Sequence, residues 1–257
     1  MRVLILGGTT EASELTRLLA ADKRFDATVS LAGRTAHPKT QPVATRIGGF
    51  GGSDGLVAWL KQNTTQAVVD ATHPYADQIS SNAVAACAQL AIPLASIVRP
   101  AWEPQPGDTW FPVASAQAAA DALGPKPRRV FLTLGRLELG AFAGSPHHHY
   151  IARTIDPPGD VALPPDIRLL SGRGPFDTQA ETTLLRQEKV DVVVSKNSGG
   201  AATYAKIEAA RHLGIPVAMI ARPNKLRGHA VENAEAAVVW LEQLLAHRTT
   251  SCSARGV

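Results

Sequence analysis

The sequence predicts an α/β protein in which short apolar β-strands alternate with amphipathic helices. Apolar residues make up 45% of the chain and aromatic residues only 5%, a balance that suits helices packed on a buried sheet better than a β-sandwich. The apolar segments Val68-Val69 and Val192–Val194 are typical of strands that helices cover on both faces. Because β-rich and helical segments alternate along the chain, we expect parallel β-α units.

The first half of the chain begins with a predicted strand over Arg2–Leu6. Leu15, Leu18 and Leu19 then form one apolar face of a helix over residues 11–21. A later helix, Leu56–Gln62, has Ser53 or Asp54 as its predicted cap. The remaining elements are strands over 27–31, 45–47, 67–71 and 93–98 and a helix over 76–90.

The second half repeats this alternation after Ala101–Thr109, a segment rich in Pro and Trp that is the best candidate for a domain crossover. Its predicted strands cover 110–113, 129–134, 150–154, 167–170, 190–194 and 217–220, and its predicted helices cover 116–123, 137–143, 178–187, 204–213 and 234–247. The two halves also match each other in sequence. The segment AVVDATHPYA of the first half corresponds to DVVVSKNSGG of the second, and IPLASIVRP corresponds to IPVAMIARP.

This correspondence predicts two Rossmann-like halves, each a mostly parallel sheet flanked by helices, with the active-site cleft between them. The first is a nucleotide-binding domain over residues 1–105, and the second covers residues 106–247. Residues 248–257 are polar and poorly patterned, so we expect a disordered tail.

Charge and cysteine content exclude several classes of protein. The net charge of +4 is a small excess without a clustered basic stripe, so it indicates an anionic small molecule rather than nucleic acid. Two cysteines without zinc or CxxC spacing indicate a reducing cytoplasm. The apolar runs are too short for a secretion signal or a membrane span. His147-His148-His149 could not easily share one metal in a strand, so we expect solvent or loop histidines and no metal site.

Glycine and polar residues gather at the predicted carboxyl ends of the strands, where open parallel sheets bind ligands. In Gly7-Gly8-Thr9-Thr10, glycines would let a phosphate approach the backbone at a helix N-terminus. A strict GxGxxG is absent, so the alternative is an ordinary turn capped by Thr9 or Thr10. Arg34 follows the second strand, where arginine favours the 2′-phosphate of NADP, unless it is a solvated loop residue.

Other strand ends offer further candidates. His73, in Thr72-His73-Pro74-Tyr75, could bond a cofactor or substrate, although a lone histidine is more often structural. The stretch Gly48–Gly55 lacks a Gly-Lys-Ser/Thr signature, which indicates a flexible loop. Ser195–Gly200, in contrast, combines a lysine, hydrogen-bonding side chains and two glycines, which favours an anion cradle over a simple helix cap.

Six segments occur in a specific combination: ILGGTTEA, DATHPYA, LGR at 134–136, SGRGPF at 171–176, SKNSGG at 195–200 and GIPVAMIARP. Together they resemble the precorrin-6A reductases of cobalamin biosynthesis, from residue 1 to about residue 245. The resemblance implies an enzyme that uses a reduced nicotinamide cofactor, usually NADPH, to reduce one double bond of the precorrin-6A macrocycle to give precorrin-6B. A related enzyme of the oxygen-independent route acts on the cobalt-containing substrate.

The resemblance and the loops together imply two binding sites. The residues expected to bind NADPH are Gly7, Gly8, Thr9, Thr10, Arg34, Thr72 and His73. A substrate with many carboxylates needs arginine, lysine and backbone N–H groups. The residues expected to bind the tetrapyrrole are Arg136, Arg173, Ser195, Lys196, Asn197, Ser198, Gly199 and Gly200, with Arg222, Lys225 and Arg227 as further basic candidates.

The proton donor stays open among Lys196, His73, Tyr75 and a bound water. Two other functions also stay open. One is a different NAD(P)-dependent reductase; Tyr75 has Ile79 where the lysine of the short-chain type would stand. The other is a nucleotide- or tetrapyrrole-binding protein without activity. The remaining partners that the resemblance suggests are other enzymes of the pathway, by substrate handover.

Overall fold

The computed structural model describes residues 1–33 and 39–253. Its strands are β1 (Arg2–Leu6), β2 (Asp26–Leu31), β3 (Ala44–Ile47), β4 (Ala67–Asp70), β5 (Leu94–Ile97), β6 (Trp110–Val113), β7 (Arg129–Thr133), β8 (His149–Thr154), β9 (Ile167–Ser171), β10 (Val192–Lys196), β11 (Val217–Ile220) and β12 (His229–Val231). Its helices are α1 (Thr10–Ala20), α2 (Gly52–Gln62), α3 (Asp77–Leu90), α4 (Ala116–Ala122), α5 (Thr178–Gln187), α6 (Ala205–Leu213) and α7 (Ala234–Ser253), with short 3-10 helices at Arg136–Phe142 and Ala201–Thr203.

The chain divides into two compact units, one of which is Met1–Arg99 together with Pro223–Val257. Among the described residues, this first unit has a six-stranded sheet with the order β12-β5-β4-β1-β2-β3, and every pairing is parallel. The strand order reverses between β1 and β4. Such a reversal is the point at which open parallel sheets bind ligands, beyond the carboxyl ends of the strands.

Both faces of this sheet are buried, because side chains alternate along each strand. Val3 and Ile5 of β1 pack in a core with α1 and α7, whereas Leu4 and Leu6 pack with α2 and α3 on the other face. Leu15 of α1 is fully buried in the first of these cores. Burying a side chain of this size contributes roughly 1.5–3 kcal/mol, so the apolar face of α1 holds the glycine loop before it against the sheet.

The second unit, Pro100–Arg222, has the same strand arrangement. Within the described chain its sheet is six-stranded and parallel, in the order β6-β11-β10-β7-β8-β9, and the order reverses between β7 and β10. Phe131, Ile151 and Val193 pack on one face against Leu185 of α5 and Ile207 of α6. The predicted α/β class with two parallel Rossmann-like sheets is therefore confirmed.

The predicted division of the chain differs from these units in two places. Residues 100–105 belong to the second unit, and residues 223–247 belong to the first. The sequence analysis missed β12, which has only three residues and no apolar run, yet it pairs in parallel with β5 and completes the first sheet. After it, α7 packs on α1. The helix continues to Ser253, so the prediction of a disordered tail is wrong for 248–253, and residues 254–257 lie outside the described chain.

The start of α2 also differs from the prediction. The helix begins at Gly52, and its N-cap is Gly51 rather than Ser53 or Asp54. Gly51 and Gly52 have φ values of 83° and 87°, which only glycine adopts readily. The stretch read as a flexible loop is therefore in part the first turn of a helix.

An arginine holds the residues before that turn. The Arg46 guanidinium donates to the carbonyl oxygens of Gly48 and Gly49, at 2.5 Å each, and lies over the Phe50 ring.

The prediction of solvent or loop histidines needs correction in two places. His148 lies in the loop before β8 but is buried, and its Nδ1 accepts from the Arg128 N–H, whereas His149 is the first residue of β8.

A buried group of charges lies in the second unit. Lys206, in the first turn of α6, is only 5% exposed, and its Nζ donates to the Thr203 carbonyl at 2.6 Å. Near it, Arg153 and Glu181 form a buried ion pair. Burial and, less strongly, the charge of Arg153 lower the pKa of Lys206 to about 7, although the charge of Glu181 opposes them.

Replacing Lys206 with Met should change how stability depends on pH. The unfolded chain binds this proton up to about pH 10.5 and the folded chain only to about pH 7, so the wild-type free energy of unfolding should rise with pH between these values. The rise attributable to Lys206 over this whole range is on the order of 5 kcal/mol, at about 1.4 kcal/mol for each pKa unit.

The measurement is urea unfolding of wild type, Lys206→Met and Lys126→Met at pH 6.5, 8 and 9.5. Lys126 is exposed and is the matched control. The stability difference between wild type and Lys206→Met should shift in favour of wild type as pH rises. A difference that stays constant across the range would contradict the prediction.

Candidate functional site

The glycine loop of the first unit lies between β1 and α1, at the reversal of strand order. A side chain at Gly7 would come within 2.8 Å of Val29, so glycine lets the loop pack tightly against β2. Gly8 is exposed and has a φ of 116°, and a side chain there would meet no described atom within 4 Å. The backbone at Gly8 is therefore open to a ligand.

The next two residues begin α1, and the threonine that caps the helix is Thr9. Its hydroxyl accepts from the Ala12 N–H at 3.1 Å and donates to the Ala71 carbonyl at 2.7 Å. The Thr9 side chain thus joins the end of β4 to the start of α1. Thr10 is exposed in the first turn of the helix.

Glu11, in the first turn of α1, forms an ion pair with Arg99. Arg99, which lies just after β5, donates through Nη1 to both carboxylate oxygens of Glu11, at 2.8 and 2.9 Å. Burial of Glu11 acts to raise its pKa, but a hydrogen bond from its own backbone N–H and the charge of Arg99 lower it overall. The carboxylate therefore stays ionised. Glu11 and Arg99 line a cavity whose other walls are Thr9, Ala71, Thr72, Pro74 and Ile97.

Asp70 anchors the end of β4 through a network of hydrogen bonds. Its buried carboxylate accepts from the backbone N–H and the hydroxyl of Thr72 and from the hydroxyl of Ser80. Lys225 lies 3.3 Å from it and also donates to the Thr72 hydroxyl at 2.9 Å. Burial lowers the pKa of Lys225, and Asp70 opposes this effect. The network gives Thr72 one position.

His73 and Tyr75 lie in the same loop. The Nδ1 atom of His73 accepts from the Tyr75 N–H at 3.3 Å, and the two ring centroids are 5.5 Å apart. A neutral His73 with this bond carries its proton on Nε2. The structure thus brings Gly7, Gly8, Thr9, Thr10, Thr72 and His73 to one edge of the first sheet. Arg34, the predicted 2′-phosphate ligand, lies outside the described residues.

In the second unit, Lys196 ends β10, next to the reversal of strand order. Its Nζ lies 2.5 Å from Oε2 of Glu138, which also accepts from the Gly135 N–H at 3.1 Å. Both side chains are partly exposed, at 19% and 32%. The pair therefore gives this edge of the sheet an oriented ammonium group that solvent or a ligand can reach.

Other residues of Ser195–Gly200 form hydrogen bonds within the second unit. Asn197 accepts from the Trp102 N–H at 2.7 Å and donates to the Trp102 carbonyl at 2.9 Å. Arg222 donates to the carbonyls of Asn197 and Pro100. Ser195 is buried and donates to the Lys196 carbonyl. Side chains that the sequence suggested as ligands thus also shape the loop.

Ser198 is half-buried, and its backbone N–H donates to the Lys196 carbonyl at 2.8 Å. Gly199 and Gly200 follow with φ values of 67° and 75°. A side chain at Gly199 would come within 2.2 Å of the Pro100 carbonyl oxygen, so this position requires glycine. The three residues turn the chain from β10 toward the 3-10 helix before α6.

The remaining predicted substrate residues follow other strands of the second sheet. Arg136, after β7, donates to the Pro157 carbonyl at 3.3 Å, and Arg173, after β9, is exposed. Leu137, which follows Arg136, and Ile155, which follows β8, expose 61% and 48% of their surface. Basic and apolar groups therefore occur together at this edge.

Sequence reasoning missed Glu11, Arg99 and Glu138. Glu138 stands three residues after Gly135, a spacing at which an acidic side chain reaches back to a helix start. Arg99 and Arg222 stand in the matching segments IVRP and IARP, which could have drawn attention to Arg99. In the part of the chain that the structure describes, no group of three or more His, Cys, Asp or Glu side chains could hold a metal, and no helix has the length and apolarity to cross a bilayer.

Comparison with known proteins finds the same family of reductases along nearly the whole chain. Residues 2–242 match the family model described as precorrin-6x reductase CbiJ/CobK. The chain is 51% identical over 221 residues to a precorrin-6A reductase of a Sinorhizobium species, covering 86% of this chain and 85% of the relative. It is 48% identical over 240 residues to the precorrin-6A reductase of Rhodobacter capsulatus, covering 93% and 95%.

A more distant relative is the cobalt-precorrin-6A reductase of Salmonella typhimurium, at 32% identity over 87% of this chain and 88% of the relative. Among solved structures, CobK precorrin-6A reductase superposes with a TM-score of 0.88 at 48% identity, covering 95% of this chain and 96% of that chain. Sequence and fold agree across both units, and the chain belongs to the precorrin-6x reductase family.

Proposed function

We propose that the protein is an NADPH-dependent precorrin-6A reductase, which reduces one double bond of the macrocycle to give precorrin-6B in cobalamin biosynthesis. The observation that carries the proposal is sequence identity. The chain is 46–51% identical to three precorrin-6A reductases, and each alignment covers at least 85% of this chain and of the relative. The cobalt-precorrin-6A reductases are less similar, at 32% or below, which favours the metal-free substrate.

The first unit fits a dinucleotide. A backbone open to a ligand at Gly8, the start of α1 and the cavity beside Thr72 lie together at the reversal of strand order, where such cofactors bind. Gly7–Thr10, Thr72 and His73 would hold NADPH there, and Arg34 would select its 2′-phosphate. When bound, the reduced nicotinamide supplies a hydride to a ring carbon of the substrate.

The second unit fits an anionic tetrapyrrole. Arg136, Arg173 and Lys196 offer positive charge for peripheral carboxylates, and the loop Ser195–Gly200 adds backbone N–H groups. The exposed side chains of Leu137 and Ile155 offer apolar area for the face of the macrocycle. This combination suits a ligand with an apolar plane and a charged rim.

Reduction of a carbon–carbon double bond also requires a proton at the neighbouring carbon. Lys196 is our first candidate, because its ammonium group is partly exposed and Glu138 holds it in one orientation. His73 and Tyr75, which bond to each other in the first unit, are the alternatives. The proposal includes a cytoplasmic location, since NADPH and the free buried thiol of Cys87 both suit a reducing compartment.

The direct test is to mix the protein with precorrin-6A and follow the absorbance of NADPH and, in parallel, of NADH. We expect oxidation of NADPH coupled to formation of a dihydro product, with a lower kcat/KM for NADH. Absence of oxidation with both cofactors would refute the assignment as an enzyme, and stoichiometric binding without turnover would favour a carrier.

Arg34→Ala should lower kcat/KM for NADPH about 10- to 100-fold, the range expected for loss of a charge-assisted hydrogen bond to phosphate. The kcat/KM for NADH should change less than twofold, since NADH has no 2′-phosphate. Lys39→Ala, which removes an exposed charge five positions along the chain, is the control. An unchanged NADPH/NADH ratio in Arg34→Ala would show that the role given to Arg34 is wrong.

Lys196→Met should lower kcat by about 10²-fold or more if Lys196 donates the proton, which is the range for a general acid. Glu138→Gln should have a smaller effect on kcat, because Gln keeps a hydrogen-bond acceptor for Lys196 but removes the charge. Lys126→Met, at an exposed site, should leave turnover unchanged. A variant at Lys196 with raised KM and normal kcat would instead assign Lys196 to carboxylate binding.

A further inference from the structure

We infer that Arg99, held in position by Glu11, binds the diphosphate of the cofactor in the first unit. The inference rests on the proposed function, and it adds a ligand that follows β5 to the glycine loop that follows β1. Arg99 lies outside the glycine loop in sequence, whereas Glu11 is part of the segment ILGGTTEA.

One of the backbone donors at the start of α1 is already bonded within the chain. A phosphate at a helix N-terminus normally bonds to free backbone N–H groups. Here the Thr9 hydroxyl accepts from the Ala12 N–H, so that donor is already used within the first turn. A basic side chain beside this turn would add to the backbone donors that remain.

The charge of Glu11 also matters for an anionic ligand. Its ionised carboxylate lines the same cavity as Thr9 and Thr72, so it would repel a diphosphate bound beside them. Arg99 neutralises this carboxylate at 2.8 Å and lines the cavity itself. A guanidinium can bond to a carboxylate and a phosphate together, because its donors point in several directions.

Two further cations, Lys225 and Arg227, lie near Arg99. The charges of Arg227 and Arg99 both lower the pKa of Lys225, after the larger effect of burial, so these three cations lie within electrostatic reach of one another. The carboxylates paired with them are Asp70 and Glu11. Arg227 therefore adds positive charge near these two ion pairs, which favours an anionic ligand.

The competing explanation is a purely structural ion pair that ties α1 to the end of β5. The two explanations predict effects of different sign. If the pair is structural, loss of either partner should weaken cofactor binding. If Arg99 binds phosphate, loss of Arg99 should weaken binding, whereas loss of the Glu11 charge should not, because it removes a repulsive carboxylate.

The experiment is calorimetric titration of NADP⁺ into wild type, Arg99→Met, Glu11→Gln and the double variant. Gln keeps an acceptor for Arg99 while removing the charge. We expect Kd to rise at least 30-fold in Arg99→Met and to stay equal or fall up to threefold in Glu11→Gln, with the double variant in between. The salt dependence of Kd should decrease in Arg99→Met.

The matched control is the exposed Arg17–Glu14 pair on the same helix. Arg17→Met and Glu14→Gln should each change Kd less than twofold. Arg99→Lys serves as a second variant if Arg99→Met does not fold, as judged by circular dichroism. It keeps the charge and should raise Kd less than tenfold.

Three outcomes would overturn the inference. If Glu11→Gln weakens binding as much as Arg99→Met does, the pair is structural. If both Arg99 variants bind NADP⁺ like the wild type, Arg99 is not a phosphate ligand, although the cofactor assignment stands. If folded wild type binds neither NADP⁺ nor NADPH, the proposed cofactor itself is wrong, and the inference fails with it.

Discussion

Parallel pairing of the strands is the constraint on which both candidate sites depend. In a parallel sheet every carboxyl end lies at the same edge, so residues far apart in sequence meet there. Gly8 after β1, Thr72 after β4 and Arg99 after β5 come together in this way in the first unit. Lys196 after β10 and Gly135 after β7 do so in the second.

Buried charge then gives these edges a defined shape. Asp70 binds the hydroxyls of Thr72 and Ser80 and the ammonium group of Lys225. Removing one partner from such a network would leave a buried charge without compensation, which is costly. Lys225 lies in the segment after residue 222, which belongs to the first unit and continues into β12, the strand that pairs with β5.

The two matching arginines of the repeat have different roles. Arg99 donates to the carboxylate of Glu11, whereas Arg222 donates to the carbonyls of Asn197 and Pro100. The Arg99–Glu11 pair lies beside a cavity. Arg222 instead stabilises the loop after β10, and a side chain at Gly199 would clash with Arg222 and with the Pro100 carbonyl. Similar sequence at similar places in the fold has therefore produced one candidate ligand site and one structural clamp.

The sequence by itself determined the α/β class, most strands and helices, the glycine loops and the family, because apolar periodicity and turn residues act over a few neighbouring positions. It could not determine the division of the chain, since β12 has no pattern of its own and forms only by pairing with β5. It also missed the pairs Glu11–Arg99 and Glu138–Lys196. Charged side chains carry no signal for their partners, and only the tertiary structure brings residues 11 and 99 within hydrogen-bonding distance.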